Sequence, residues 1–293
     1  MKFSIVAHGD LDGVISSALY TAKLIRGGIK RDDIQLIFAQ PFKLPEELKG
    51  DAIAVLDIAL NNADRSMTES FLEKIKDRLV VWIDHHEGWD EFLKKLPEVR
   101  DKFIISKDEA AAQTVYTVTG LMEMYPLVRD AIAADTRSGE MSEKGKLVDE
   151  AIKSNLKDDS LRLAAVWWVV DGCKEDENYM KLIDAQKKYM EVKAETEKIA
   201  KNYKLYDEVA VLDVRGLEKA YDKTYLSLIG QKISPKKISV ILNENSMGED
   251  FILISTSRKD VDLVKAFDLS GGAKFRVSVK KSLEEVLEVL KKL

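Results

Sequence analysis

The sequence predicts an α/β fold: a mostly parallel sheet with helices on both faces, joined by a helical linker to a smaller α/β domain. Three observations predict it. Short apolar, β-branched runs alternate with helical spacing through the first third of the chain. A stretch that is helical throughout follows, ending in a long charged helix. The strand rhythm then returns in the C-terminal third.

The first strand covers residues 2–7. Residues 13–26 place Val14, Ala18, Leu19, Ala22 and Ile25 at helical spacing and stop at Gly27-Gly28, a favourable helix end. Residues 33–39, 52–57, 79–84 and 103–106 are the next strands, with a helix over 63–76. This alternation indicates parallel pairing, because parallel neighbours need a crossover between them. Helices then fit 110–124, 126–133, 142–154 and 160–170, with Trp167-Trp168 read as core plus one partly exposed ring. The Lys- and Glu-rich helix over 178–203 looks like a solvated connector. Beyond it, 208–214, 238–242, 250–256 and 274–279 read as strands, and 261–267 and 282–292 as helices. The expected division is a domain over 1–177, a linker helix over 178–204 and a second domain over 205–293.

Composition narrows the function. The 293 residues are 45% hydrophobic and 33% charged, an ordinary globular balance with ample material for a core. No apolar run approaches the ~20 residues of a membrane span, so no membrane partner is expected. The single cysteine, Cys173, excludes an intramolecular disulfide and a four-cysteine zinc cluster within the chain. A cytoplasmic location is the simplest expectation. The formal net charge is −5, with no strong basic stretch. Proteins that grip long duplexes usually present a basic face, so any nucleic-acid contact here is expected to be local, metal-assisted, and with a short or single-stranded ligand.

All three histidines fall in two short acidic motifs. His8-Gly9-Asp10-Leu11-Asp12-Gly13 follows the first strand, and Asp84-His85-His86 follows the fourth. Asp57 ends the third strand, and Asp135 follows the apolar run Ala131-Ile132-Ala133-Ala134. Open parallel sheets bind ligands at the carboxyl ends of their strands. Carboxylates gathered there repel one another unless cations hold them. Hard oxygen donors with imidazoles suit manganese, with magnesium or cobalt as alternatives. So many ligands can hold two ions, enough to clamp a phosphate and activate a water. Singly, each motif has a structural reading as a turn or helix cap; jointly they point to a metal site.

These motifs resemble, in order and in strand context, the four motifs of the DHH phosphoesterase superfamily, over residues 1–170. The compact His-x-Asp-x-Asp-Gly form resembles archaeal, RecJ-like or oligoribonuclease-like members. The resemblance implies that Asp57 bridges two metals, that His8 and Asp10 complete one ion, and that Asp12, His85 and Asp135 complete the other. It implies that His86 contacts the scissile phosphate and that Asp84 orients a metal-ligating imidazole from behind rather than binding metal directly. In the C-terminal part, Ser255-Thr256-Ser257-Arg258 and Ser270-Gly271-Gly272-Ala273 resemble a divergent DHH-associated domain, implying substrate contacts by Arg258, Gly271 and Gly272. Where the family has a histidine after the glycines, the resemblance implies that Lys274 or Arg276 takes its place as a phosphate contact in the substrate-binding set. The implied function is a phosphodiesterase on single-stranded or short DNA or RNA, a 3′–5′ exonuclease or oligoribonuclease. The alternative is hydrolysis of a cyclic dinucleotide, a phosphoadenosine phosphate or pyrophosphate. Ser257-Arg258-Lys259 matches three letters of the pyrophosphatase Ser-Arg-Lys-Lys signature, and Asp260 breaks it. A homo-oligomer and a DNA-repair or replication partner are further expectations.

Overall fold

The computed structural model describes residues 1–61, 64–136, 140–217, 221–244, 248–269 and 274–293. The chain divides into two compact units, Met1–Tyr189 and Met190–Leu293.

In the first unit, β1 (Phe3–His8), β2 (Ile34–Ala39), β3 (Ala52–Leu56), β4 (Leu79–Asp84) and β5 (Phe103–Ile105) form an all-parallel sheet in the order β2-β1-β3-β4-β5. Side chains alternate across it, as strand geometry demands. Ile5 and Ala7 face one core with α1 (Leu11–Arg26), and Val6 and Val55 face the other with α2 (Arg65–Ile75) and α3 (Trp89–Leu93). Burial on both faces explains why these strands read as near-continuous apolar runs. α4 (Ala111–Thr119), α5 (Tyr125–Thr136), α6 (Glu143–Ser154) and α7 (Asp159–Val170) add to the first face.

The register positions the chemistry. Ala7 pairs with Leu56, and Leu56 with Ile83. His8, Asp57 and Asp84, each one residue further, therefore form a row across the three central strands at their carboxyl ends. The chain leaves β1 toward β2 and returns on the other side to β3, so His8 and Asp57 flank the switch point, where open α/β sheets bind ligands.

Two expectations need correction. A single helix over 110–124 does not form: α4 stops at Gly120, whose φ of 69° closes the helix in the left-handed region, and a 3-10 turn over Met122–Met124 leads into α5. The charged helix, α8 (Glu177–Ala200), is not simply solvated. Leu182, Ala185 and Tyr189 are buried in the first unit and Ile199 and Ala200 in the second, while Met180 and Met190 are exposed. Trp168 is buried core, while Trp167 lies under Arg31 with the guanidinium carbon 3.9 Å from the ring centre.

The second unit holds a mixed sheet of β6 (Lys204–Tyr206), β7 (Val209–Asp213), β8 (Ile238–Glu244), β9 (Asp250–Thr256) and β10 (Arg276–Val279), in the order β10-β9-β8-β7-β6. Only β7 and β8 run parallel. It carries α9 (Lys223–Ile233), α10 (Leu263–Ala266) and α11 (Leu283–Leu290). α9 has no sequence forecast; Gly230 and the β-branched Thr224, Ile229 and Ile233 weaken its helical signal. The glycine is required by packing: a Cβ there would lie 2.4 Å from Ser239 Oγ. α11 begins with a capping box between Ser282 and Glu285. Among the described residues, no helix is long and apolar enough to cross a membrane.

Candidate metal centre

The first motif does two jobs with one carboxylate. Asp10 Oδ1 caps α1 by accepting from the Gly13 amide, and Asp10 Oδ2 lies 2.8 Å from His8 Nδ1. The turn is tight enough that a Cβ on Gly13 would sit 2.1 Å from the His8 carbonyl oxygen. A helix cap and an imidazole partner are thus the same residue.

Asp57 joins two groups of ligands. Its Oδ2 is 3.7 Å from His8 Nδ1, and its Oδ1 is 3.7 Å from His85 Nε2. Its backbone is left-handed, with φ 55°, which costs a non-glycine residue roughly 1–3 kcal/mol and is tolerated where the surroundings fix a functional side chain. Around His85 Nε2, Asp135 Oδ2 lies at 3.7 Å and Asp12 Oδ2 at 3.8 Å. His8, Asp10 and Asp57 form one ligand-grade group, and Asp57, Asp84, His85 and His86 another.

These distances of 3.7–3.8 Å are too long for hydrogen bonds. They are nearer to the spacing of donor atoms around a cation, about 3.0–3.4 Å when bonds are about 2.1 Å. Asp57 Oδ2 and His85 Nε2 are buried without a hydrogen-bond partner among the described residues. A buried polar atom left unpaired is costly, and a cation in each group would satisfy the one it faces, Asp57 Oδ2 beside His8 and His85 Nε2 beside Asp57 Oδ1. The residues present therefore fit a divalent metal.

The electrostatics agree. Burial, together with Asp10 and Asp135, pushes Asp12 up to about 7 despite two amides donating to it. Burial and its neighbours Asp12 and Asp10 raise Asp57 well above the carboxylate range, and burial raises Asp135. For His8, burial opposes the charged form, but Asp10 and Asp57 outweigh it and raise the imidazole well above its ordinary value. Without cations, the folded site keeps protons to limit its own repulsion.

Asp84 belongs to a different layer. Although its atoms fall within reach of a metal group, Oδ1 accepts from His86 Nδ1 at 2.8 Å and Oδ2 from Trp89 Nε1 at 2.6 Å. Those bonds direct the buried carboxylate to His86. The imidazole that Asp84 orients is thus His86, and not His85 among the ligand set. Despite burial, the hydrogen bonds from His86 and Trp89 hold Asp84 below its ordinary value. Burial opposes protonation of His86, and Asp84 overrides it, raising the imidazole. Trp89 packs against Trp82, Phe92 and Phe103, an aromatic wall that fixes Asp84 from behind.

Several supporting residues carry no motif. His85 Nδ1 lies 3.2 Å from the Asp108 carbonyl oxygen; donation there leaves the Nε2 lone pair facing the carboxylates. Gln40 Oε1 holds His8 Nε2 at 3.0 Å and leaves Nδ1 for Asp10 and Asp57. The amides of Ala111 and Ala112, opening α4, each donate to an oxygen of Asp12 at 2.7 Å. Buried Arg162 donates to the Gly9 carbonyl at 2.6 Å and to Leu156 O and Asp159, which pins the loop carrying His8 and Asp10.

In the second unit, Arg258 forks onto the Asp260 carboxylate and also donates to the Leu293 carbonyl, so a phosphate there would compete with a built-in anion. Lys274 Nζ donates to the Lys259 carbonyl. Arg276 Nη1 donates to Thr224 Oγ1 at 3.2 Å. Gly271 and Gly272 lie outside the described residues.

No family model matches the sequence, and no curated protein matches it. Solved structures do. The DHH domain of a member of a ribosomal-protein family superposes with a TM-score of 0.64 at 16% identity, over 99% of this chain and 86% of that one. The chain has the DHH-domain fold. A pGpG-specific phosphodiesterase, PggH from Vibrio cholerae, gives a TM-score of 0.61 at 13% identity over 99% of this chain and 97% of its own. RecJ from Thermus thermophilus in complex with Mn2+ gives 0.58 at 12% identity, and the chain spans about half of it, 51%.

Proposed function

We propose that this chain is a metal-dependent phosphodiesterase that hydrolyses short or single-stranded nucleic acid, as a 3′–5′ exonuclease or oligoribonuclease. One observation carries the reading: two carboxylate–imidazole groups share Asp57 at the switch point of a DHH-type sheet, with Asp57 Oδ2 and His85 Nε2 buried and unpartnered among the described residues. His8, Asp10 and Asp57 would hold one cation, and Asp57, Asp12, His85 and Asp135 the other, with manganese the preferred ion and magnesium or cobalt able to replace it. When bound, such a pair supplies Lewis-acid neutralisation of the phosphate and an acidic water.

The chain supplies the remainder. Asp84 holds His86 by Nδ1 and favours its charged form, so Nε2–H is free to donate to the scissile phosphate as negative charge builds on it. His86 is half exposed, as a substrate contact must be. Arg162 and Gln40 keep His8 aimed, so the ligand set needs no rearrangement before substrate arrives.

A small substrate is favoured within this reading. PggH, named for a two-nucleotide substrate, matches this chain nearly end to end, whereas Thermus thermophilus RecJ matches over half its length. The net charge of −5 also disfavours a long phosphate track. Pyrophosphate is disfavoured because Asp260 occupies Arg258.

The test is a panel of labelled dinucleotides, single-stranded DNA and RNA, cyclic dinucleotides and pyrophosphate, each with manganese and with magnesium. Hydrolysis of dinucleotides or strand ends that stops with EDTA is expected. Turnover of pyrophosphate far above that of any oligonucleotide would overturn the nucleic-acid reading.

A further inference from the structure

Beside His85, Ser106, Asp108 and Thr114 form a closed ring of hydrogen bonds. The Asp108 amide donates to Ser106 Oγ at 3.3 Å, Ser106 Oγ and Thr114 Oγ1 lie 2.6 Å apart, and Thr114 Oγ1 donates to Asp108 Oδ2 at 2.6 Å. The chemistry of the atoms fixes each direction. Thr114 has one hydroxyl proton and gives it to the Asp108 carboxylate, so Ser106 donates to Thr114. Ser106 Oγ in turn accepts from the Asp108 amide. The ring grips Asp108 by its amide and its carboxylate, and its carbonyl oxygen lies 3.2 Å from His85 Nδ1. A carbonyl only accepts, so this contact puts the imidazole proton on Nδ1. The Nε2 lone pair is left among Asp12, Asp57 and Asp135. The Ser106 amide also donates to the Asp84 carbonyl at 3.0 Å, which joins the ring to the end of β4.

Thr114 brings a second ligand into the same arrangement. It is buried in the first turn and a half of α4. That helix has no side-chain cap at Ala110; the Asp12 carboxylate takes the otherwise orphaned amides of Ala111 and Ala112. The start of α4 therefore touches Asp12 directly and His85 through Asp108, by contacts of 2.6–3.2 Å. Both belong to the same ligand group. The other group, around His8 and Asp10, is supported instead by Gln40 and Arg162.

We propose that Thr114 is a positioning residue for one of the two cation sites: through Asp108 it sets the tautomer and aim of His85, while the same stretch of helix holds Asp12. The proposal rests on the metal-dependent reading for the role of His85 as a ligand. The ring and the tautomer it imposes need no metal. The consequence is an asymmetry. Opening the ring should disturb the site of Asp12, His85 and Asp135 and spare the site of His8 and Asp10.

The experiment takes two readouts from the full chain. The first is nitrogen-15 NMR of the imidazoles in EDTA, at a pH that keeps the rings neutral; with three histidines in the chain the signals can be assigned. His85 should carry its proton on Nδ1 in the parent and in T114S. T114V and S106A, which open the ring at different bonds, should lose that preference. The second is calorimetric titration with manganese. T114V should weaken one ion by about 10–100-fold and leave the other within a few-fold, while T114S stays near the parent at both. Q40A should weaken the opposite ion, and T114V with Q40A should weaken both additively. Melting curves that match the parent establish folding, and S106A carries the test if T114V does not fold. A parent His85 protonated on Nε2, a folded variant that keeps the tautomer and both affinities, or equal loss at both ions overturns the proposal. A parent that shows the Nδ1–H tautomer, lost in T114V, yet binds no manganese would instead overturn the metal-dependent reading and leave the role of the ring standing.

Discussion

The two units treat charge in opposite ways. At the end of the first sheet, Asp10, Asp12, Asp135 and two imidazoles crowd around Asp57, which is strained and has an unpartnered buried oxygen. In the second unit, Asp213 and Asp250 pair with Arg215, and Asp260 pairs with Arg258. Ordinary stability favours matched pairs, so the gathering of one sign around Asp57 suits a site for cations, whereas the matched pairs of the second unit suit surface stability.

The comparison breaks most sharply at Asp57. D57N should lower kcat/KM by about 10⁴-fold and abolish the binding of two ions together, because the shared carboxylate would be lost. Equal metal stoichiometry in D57N would remove the bridging role. H86A comes next. It should lower kcat by about 10²–10³-fold with metal affinity unchanged, as expected of a donor to the developing charge. A loss of metal in H86A would move this residue into the ligand set. W89F and Q40A act one layer further out and should cost about tenfold. W89F should act on kcat through His86, and Q40A on metal affinity through His8; the reverse assignment would contradict the contacts described.

The acidic crowd also sets a pH dependence. Asp12, Asp57 and Asp135 keep protons in the folded, metal-free chain at pH values where the unfolded chain has released them. Their contribution to stability is complete below the ordinary carboxylate range and disappears as pH rises through about 7, the value for Asp12. His8, also raised, has the same sign. The metal-free melting temperature should therefore fall between about pH 5 and about pH 8, and manganese should flatten or reverse the slope. A metal-free melting temperature that climbs over this range would show that the carboxylates do not crowd one another.

How much was legible in the sequence follows the same divide. The apolar runs of β1, β3 and β4 are buried on both faces, so strands, parallel order and the row of His8, Asp57 and Asp84 could be read from pattern alone. The candidate ligands carry their chemistry in their own side chains, so the motifs point to them directly. Gln40, Arg162 and Trp89 are common residue types whose roles come from partners 32, 153 and 5 positions away. α9 escaped because Gly230 interrupts its pattern, and that glycine is explained only by the close approach of Ser239 and Tyr203 in the fold.

The most direct test of the central claim is anomalous diffraction from crystals of the full chain soaked in manganese. Two peaks are predicted, one bounded by His8, Asp10 and Asp57 and the other by Asp57, Asp12, His85 and Asp135, with the Asp57 carboxylate between them. Crystals without a peak at that row, in which Asp57 and His85 instead pair with protein groups, would contradict it.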